Sequence, residues 1–255
     1  MIVDSWKMAQ LGIIDWGIGG VSIYKLIKER IGDVPVTYFS DTGVTPYGKM
    51  MRPELVARLN GVLEFLRNRG VTHLVIGCNA ASTVIALLDD QGIEIEGVIE
   101  SAVTETVKKK PMSLGLIGGR RTVLSGVYRK VFASRGIAVT QRIAQPLSGL
   151  IESGDVSSAN LRAECRRILT PLKNCSHILL ACTHYPAIIS VLKDHVSSKT
   201  QFIDPASHLV HKVAKWRLQS GSGDEFLTTG DPTAMKTSAK AAFGVKIEKA
   251  KSVVI

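Results

Sequence analysis

The chain has 255 residues, 45% of them hydrophobic and 21% charged, with a formal net charge of +10. That length makes one large domain or two ordinary ones, and the balance is that of a soluble globular protein. No run approaches the roughly 18 uninterrupted apolar residues of a membrane-spanning helix, and aromatic residues, at 5%, are too few for base-stacking platforms.

Strands and helical segments alternate along the whole chain. The start, MIVDSWKMAQ, has an early acid and no long apolar stretch, so no signal peptide is expected. LGIID (11–15) reads as a buried strand, followed by a glycine-rich turn and a helix over 21–30. VPVTYFS (34–40) leads through DTGVTPYG into a long helix near 53–69. THLVIGC (72–78) precedes a helix near 81–90, and IEGVI (95–99) follows. The scheme then repeats: SLGLIG (113–118), a helix near 122–134, IAVTQRI (137–143), a helix near 157–172, and HILLAC (177–182). TQFID (200–204), a helix near 206–217, EFLTTGD (225–231) and a helix near 232–242 close the chain. Apolar runs alternating with amphipathic helices predict α/β architecture with parallel sheets flanked by helices.

The alternation hides a duplication. His73 precedes Cys78 by the same spacing as His177 precedes Cys182, and LGIID at 11–15 parallels LGLIG at 114–118. Two landmarks at offsets of 103 and 104 residues predict two similar, pseudo-symmetric halves. Ligands of parallel α/β domains gather at the carboxyl ends of strands. Asp15, the loop 40–48, Cys78, Asn79, the segment 118–122 and Cys182–His184 all fall there. Halves that face each other would put one thiol on each wall of a shared cleft.

Four cysteines, at 78, 165, 175 and 182, show no C-x-x-C spacing, which points to free thiols in a reducing, cytoplasmic setting. A lone buried cysteine is ordinarily a small core hydrophobe, and Cys165 and Cys175 are read so. Two opposed thiols suit a different task, moving a proton between the faces of one carbon. Cysteine lies near the required pKa range but needs help to ionise. Asp15 stands ready for Cys78 and His184 for Cys182. Three other readings compete. Zinc at Cys78, Cys182 and His184 lacks a standard ligand spacing. A single nucleophilic cysteine with His184 as base leaves the duplicated thiol unexplained. GIGG at 17–20 lacks both the full dinucleotide fingerprint and a Walker lysine. His208 and His211 read as surface or packing residues. The basic clusters, Lys108–Lys110, Arg120–Arg121 and Arg166–Arg167, are scattered; Lys108–Lys110 reads as a solvated helix end, and the surplus charge favours anionic substrates over nucleic acid.

DWGIGG, SDTGVTPYG, CNAAS, GGRRTVLSGVY, PLSGLIESG, CTHYP, IDPA and TTGD, in this order over residues 10–231, resemble the aspartate/glutamate racemase superfamily, most closely glutamate racemase. The resemblance implies a cofactor-independent two-base racemase, usually a homodimer, acting on a small amino acid with no membrane partner. It implies two domains, 10–98 with 205–255 and 99–204, with the active site in the cleft between them. It casts Cys78 and Cys182 as the acid/base pair, with Asp15 supporting the first and His184 and Glu152 the second. Pro46, Tyr47, Gly48, Asn79, Thr122 and Thr183 match substrate-contacting positions. Trp16, Ala80 and Gly119 depart from the family pattern, each standing where it has a hydroxyl. Removing a hydroxyl partner from a polar site costs about 1–3 kcal/mol, so the catalytic set is kept while recognition is altered. A related isomerase or decarboxylase acting on another carboxylate, and a non-catalytic binding protein, are the alternatives.

Overall fold

The computed structural model describes residues 10–216, 218, 220–221 and 223–255. The first nine residues, on which the signal-peptide expectation bears, and residue 217 at the end of one expected helix lie outside that set.

The first strand, β1 (Leu11–Asp15), is fully buried and runs into the turn before α1 (Val21–Arg30). Val21, Ile23 and Ile27 face inward, and the helix stops where Gly32 adopts φ +97° and its N–H donates to the Ile27 carbonyl, the glycine-terminated stop expected of a left-handed C-terminal cap. Next come β2 (Val36–Ser40) and α2 (Arg52–Asn68), whose Leu55, Leu59, Val62, Leu63 and Leu66 form one buried helical stripe. Then follow β3 (His73–Ile76), α3 (Asn79–Ser82), β4 (Glu94–Gly97) and α4 (Val98–Lys109).

The second half opens with β5 (Leu114–Gly118), followed by α5 (Arg120–Leu124), α6 (Val127–Ala133) and β6 (Val139–Ile143). It continues through α7 (Gln145–Glu152), α8 (Ala159–Leu169), β7 (His177–Ala181), α9 (Ile189–Lys193) and β8 (Gln201–Ile203). The chain ends with α10 (Ala206–Val213), β9 (Glu225–Thr228), α11 (Pro232–Phe243) and β10 (Ala250–Ser252).

Every described strand pairing is parallel. One sheet has the order β10-β9-β2-β1-β3-β4 and the other β6-β5-β7-β8. The duplication is exact in topology: β1 lies between β2 and β3 as β5 lies between β6 and β7. It also holds in register, because Leu11 pairs with His73 just as Leu114 pairs with His177. Both faces of each sheet are covered by helices, with a separate apolar cluster on each face. Parallel sheets need this double cover. The late strands β9 and β10 return to the first sheet.

Several expected helices come out differently. The helix expected over 81–90 is only α3 plus a 3-10 turn at Ile85–Leu87. The one expected over 122–134 is split by Gly126, at φ +70°, into α5 and α6. The expected 206–217 helix leaves α geometry after Val213, in a 3-10 turn over Ala214–Trp216. Sequence pattern did not anticipate α7, α9 or β10, and of α4 it showed only the end at Lys108–Lys110.

Candidate active site

Parallel strands place all their carboxyl ends on one side, and the site is assembled there. Asp15 ends β1. Cys78 stands two residues beyond β3, and the neighbouring Gly77 N–H donates to the Ile14 carbonyl at 2.8 Å, tying the two ends together. On the other sheet Cys182 directly follows β7. The two cysteines are free, partly buried, and line one cavity of about 460 Å³.

The duplication breaks down at the titratable neighbours of the two thiols. Where β1 ends in Asp15, the matching strand β5 ends in Gly118. Cys182 takes its partner from its own loop instead: His184 Nδ1 lies 3.7 Å from the thiol, and its Nε2 meets Glu152 Oε2 at 2.7 Å. Burial disfavours a charged His184, but hydrogen bonds to Cys182 and Glu152 outweigh it and hold its pKa well above the ordinary imidazole range. At Cys78 burial acts first and the Asp15 charge second, together pushing the thiol well up; a bond from the Ala81 N–H works the other way. The two thiols therefore sit in different proton environments.

Each half holds the other's acid. Thr183 of the second half donates its hydroxyl to Asp15 Oδ2 at 2.8 Å, and Trp16 N–H donates to Oδ1 at 2.7 Å. In return the Ile18 N–H of the first half donates to Glu152 Oε2 at 2.9 Å. These crossings explain the glycines at 17–20. A Cβ on Gly17 would run into the Glu152 carboxylate, and one on Gly19 would lie 2.5–2.6 Å from His184 Nδ1, Thr183 Oγ1 and Asp15 Oδ2. The loop faces carboxylates and an imidazole, so it is a seam between the halves and not a phosphate cradle.

Of the fourteen residues that the resemblance assigns to the site, thirteen line the cavity; Glu152 alone stands behind it, reaching the site through His184. Trp16 faces the cavity while its indole N–H donates to the Val44 carbonyl at 3.0 Å, which leaves the ring's apolar surface toward a ligand. Tyr47 is fully buried and spends its hydroxyl on Asp41, itself gripped by Arg58 Nε and Nη2 at 2.8 and 2.6 Å. Only the backbone and ring edge of Pro46–Gly48 are left for a ligand. Asn79 accepts from the Tyr128 hydroxyl at 2.7 Å, but its buried Nδ2 has no partner. A buried donor without a partner is costly, and this one borders the cavity. Thr122 is buried in the wall.

Sequence reading missed Lys49, Gln145, Pro146, Ser148, Gly149 and Ala181, which also line the cavity. Gln145 Oε1 accepts the Arg120 N–H at 3.0 Å and would lie 3.1 Å from a Cβ placed on either Gly48 or Gly119. The room a side chain at Gly119 would need is thus taken by the Gln145 amide. The same strand-end rule that found the other loops would have found this one, since Gln145 follows β6. Cys165 is buried in the core, and Cys175 packs against Gly115 outside the cavity. His208 and His211 sit on α10, outside the cavity lining. Among the described residues, no group of three or more histidine, cysteine or acidic side chains could hold a metal ion.

A family model described as Asp/Glu/Hydantoin racemase matches residues 11–213. The chain belongs to that family. Among curated relatives of this racemase-family protein, the glutamate racemase of Bacillus cereus is 30% identical over 258 residues, covering 95% of this chain and 96% of the relative. Among solved structures, the Thermus thermophilus glutamate racemase, in complex with β-chloro-D-alanine, superposes with a TM-score of 0.84 at 26% identity over 97% of each chain. The fold also matches the aspartate racemase of Picrophilus torridus, with a TM-score of 0.66 at 18% identity over 83% of this chain and 96% of that one.

Proposed function

We propose that the protein is a cofactor-independent amino-acid racemase of the glutamate racemase type, inverting the α-carbon with Cys78 and Cys182. The observation that carries this reading is the pair of thiols on one cavity, each from its own sheet and each with its own titratable neighbour. Inversion needs a base on one face of the carbon and an acid on the other. In one direction the thiolate of Cys182 removes the α-proton and Cys78 delivers its own proton to the opposite face. The enzyme is left with the proton inventory exchanged, ready for the other enantiomer. Asp15 and His184 take up and return protons at the two thiols, with Glu152 holding the imidazole in place. The free Nδ2 of Asn79 supplies a donor for the substrate carboxylate, where negative charge grows as the α-proton leaves. The names of the relatives make glutamate the first substrate to try.

The same reading divides the chain into domains 10–98 with 205–255 and 99–204, and makes the working form a cytoplasmic homodimer. The return of β9 and β10 to the first sheet supports the division. Among the described residues no helix is long and apolar enough to cross a membrane.

Chiral chromatography of D- and L-glutamate after incubation with purified protein tests the activity. Cys78→Ala and Cys182→Ala should each abolish racemisation, with losses of at least about a thousandfold, because general acid/base groups contribute roughly that much. Full activity in either variant would refute the two-base assignment.

A second reading concerns substrate choice and rests on Trp16. Its indole faces the cavity with its N–H already bonded, and Ala80 and Gly119 add no hydroxyl. These walls favour an amino acid with a less polar side chain. Trp16→Ser with Ala80→Thr should then raise kcat/KM for glutamate relative to a panel of other amino acids. A parent enzyme that turns over glutamate at least as well as every other amino acid tried would reject this second reading.

A further inference from the structure

Gly48 and Gly119 line the cavity from opposite halves, and neither owes its glycine to the backbone. Gly119 has φ −62° and ψ 159°, a conformation any residue adopts, and Gly48 is not among the glycines with positive φ. What a side chain would meet at both positions is one amide. The three atoms nearest a Cβ on Gly48 all belong to Gln145, at 3.1, 3.8 and 3.9 Å. A Cβ on Gly119 would find within 4 Å only the same oxygen, at 3.1 Å, and its carbon, at 4.0 Å. Gln145 thus fills space that two backbones, one from each half, leave open for it.

The amide is also held. The Arg120 N–H can only donate, so Oε1 must be the atom that meets it, at 3.0 Å. Nε2 is thereby turned the other way, donating to Ser148 Oγ at 3.0 Å, and that hydroxyl donates to the Gln145 carbonyl at 2.8 Å. Strand order gives its place in the cavity. In one sheet β2 stands two places from β3, which leads to Cys78; in the other β6 stands two places from β7, which leads to Cys182. The loop after β2 carries Gly48 and the loop after β6 carries Gln145. The duplicated plan therefore brings two equivalent loops together at the end of the cavity away from the thiols. Two strand spacings of about 4.8 Å, less a contact of about 4 Å with the wall, leave roughly 6 Å beyond a carbon held between the thiols. An extended side chain four heavy atoms deep, as in glutamate or norleucine, fills that reach. Gly48 also lines a neighbouring depression, so the amide is a partition and not the face of a solid core.

We propose that Gln145 is a specificity-determining residue that sets the length of side chain accepted, closing the cavity beyond the fourth side-chain atom. The inference rests on the amino-acid racemase reading, and holds for a polar or an apolar side chain alike.

Calorimetric titration with two series of amino acids tests it: aspartate, glutamate and 2-aminoadipate, and norvaline, norleucine and 2-aminoheptanoate, whose side chains are three, four and five heavy atoms deep. Racemic ligands are used, so that turnover does not change the composition. The parent should bind the four-atom member of the preferred series about tenfold or more tightly than the five-atom member, the usual worth of one methylene in a fitted pocket. Gln145→Ala should move that ratio by about tenfold or more toward the longer ligand. Gln145→Met, which keeps the bulk, should keep the parent's order, and Gly119→Thr added to Gln145→Ala should move the ratio back. Uniform weakening of all ligands in Gln145→Ala, with the ratio unchanged, would make the residue merely structural and overturn the proposal. So would a parent that binds five-atom side chains as tightly as four-atom ones, or that binds no member of either series. Racemisation of the same ligands, followed by chiral chromatography, separates the two readings. A parent that binds but does not invert them would refute the racemase reading, while the affinities still decide the role of Gln145.

Discussion

Asp15 is 1% exposed and carries a carboxyl lifted above its ordinary range, because burial outweighs the His184 charge and the bonds from Thr183 and Trp16. A folded-state pKa above the unfolded one means that stability is fullest at low pH and is lost as pH rises through the folded value. This buried carboxyl therefore works against folding at neutral pH, a common feature of active sites. Asp15→Asn keeps the shape and can still accept from Trp16 N–H, with Thr183 turning to accept from the new amide. Thermal melts should show this variant gaining on the parent as pH rises from about 4 toward neutrality, with no gain below that range. Racemisation should fall at least about tenfold, since Cys78 loses its proton acceptor. A variant that is less stable than the parent at neutral pH would contradict this account of Asp15.

Among the elements, the turn between β1 and α1 carries the most constraint, because it touches the acids of both halves at once. Gly19→Ala would force a methyl group against His184, Thr183 and Asp15. Overpacking of this kind costs roughly 1–3 kcal/mol, and the catalytic groups are what must move. Denaturant melts should show that loss, and kcat should fall by a larger factor than stability alone explains. An unaffected kcat would mean the seam does not position the site. The elements that sequence showed best are the strands, since buried parallel strands are short apolar runs bounded by glycine or polar residues. Their carboxyl ends led directly to Asp15, Cys78 and Cys182. Helix α4 showed only its end, at Lys108–Lys110, because Val98 and Ile99 continue an apolar strand and Val103 and Val107 are β-branched as well. Helix α7 was hidden because Pro146 and Gly149 look like breakers, although proline is welcome in a first turn; with it went Gln145 and the cavity wall it builds. No sequence pattern shows that Glu152 and Asp15 are each held by the opposite half, because those bonds span 134 and 168 residues.

At the scale of the whole molecule, two copies of one β-α plan face each other and differ where the chemistry needs a difference. One thiol has a carboxylate beside it and the other an imidazole, yet the enantiomers that a racemase interconverts are equal in energy. kcat/KM must then be the same in both directions at every pH, so the unequal surroundings can appear only as matched changes in kcat and KM. Such steady-state constants cannot count the bases. Isotope incorporation can. Each enantiomer of a substrate that the enzyme turns over should be incubated in D₂O, and product and remaining substrate analysed by mass spectrometry within the first few per cent of conversion. Two opposed thiols predict that product carries one solvent deuterium at the α-carbon while remaining substrate carries almost none. Product that keeps the substrate's own α-hydrogen, or substrate that exchanges before it inverts, would show a single base serving both faces and contradict the roles assigned to Cys78 and Cys182.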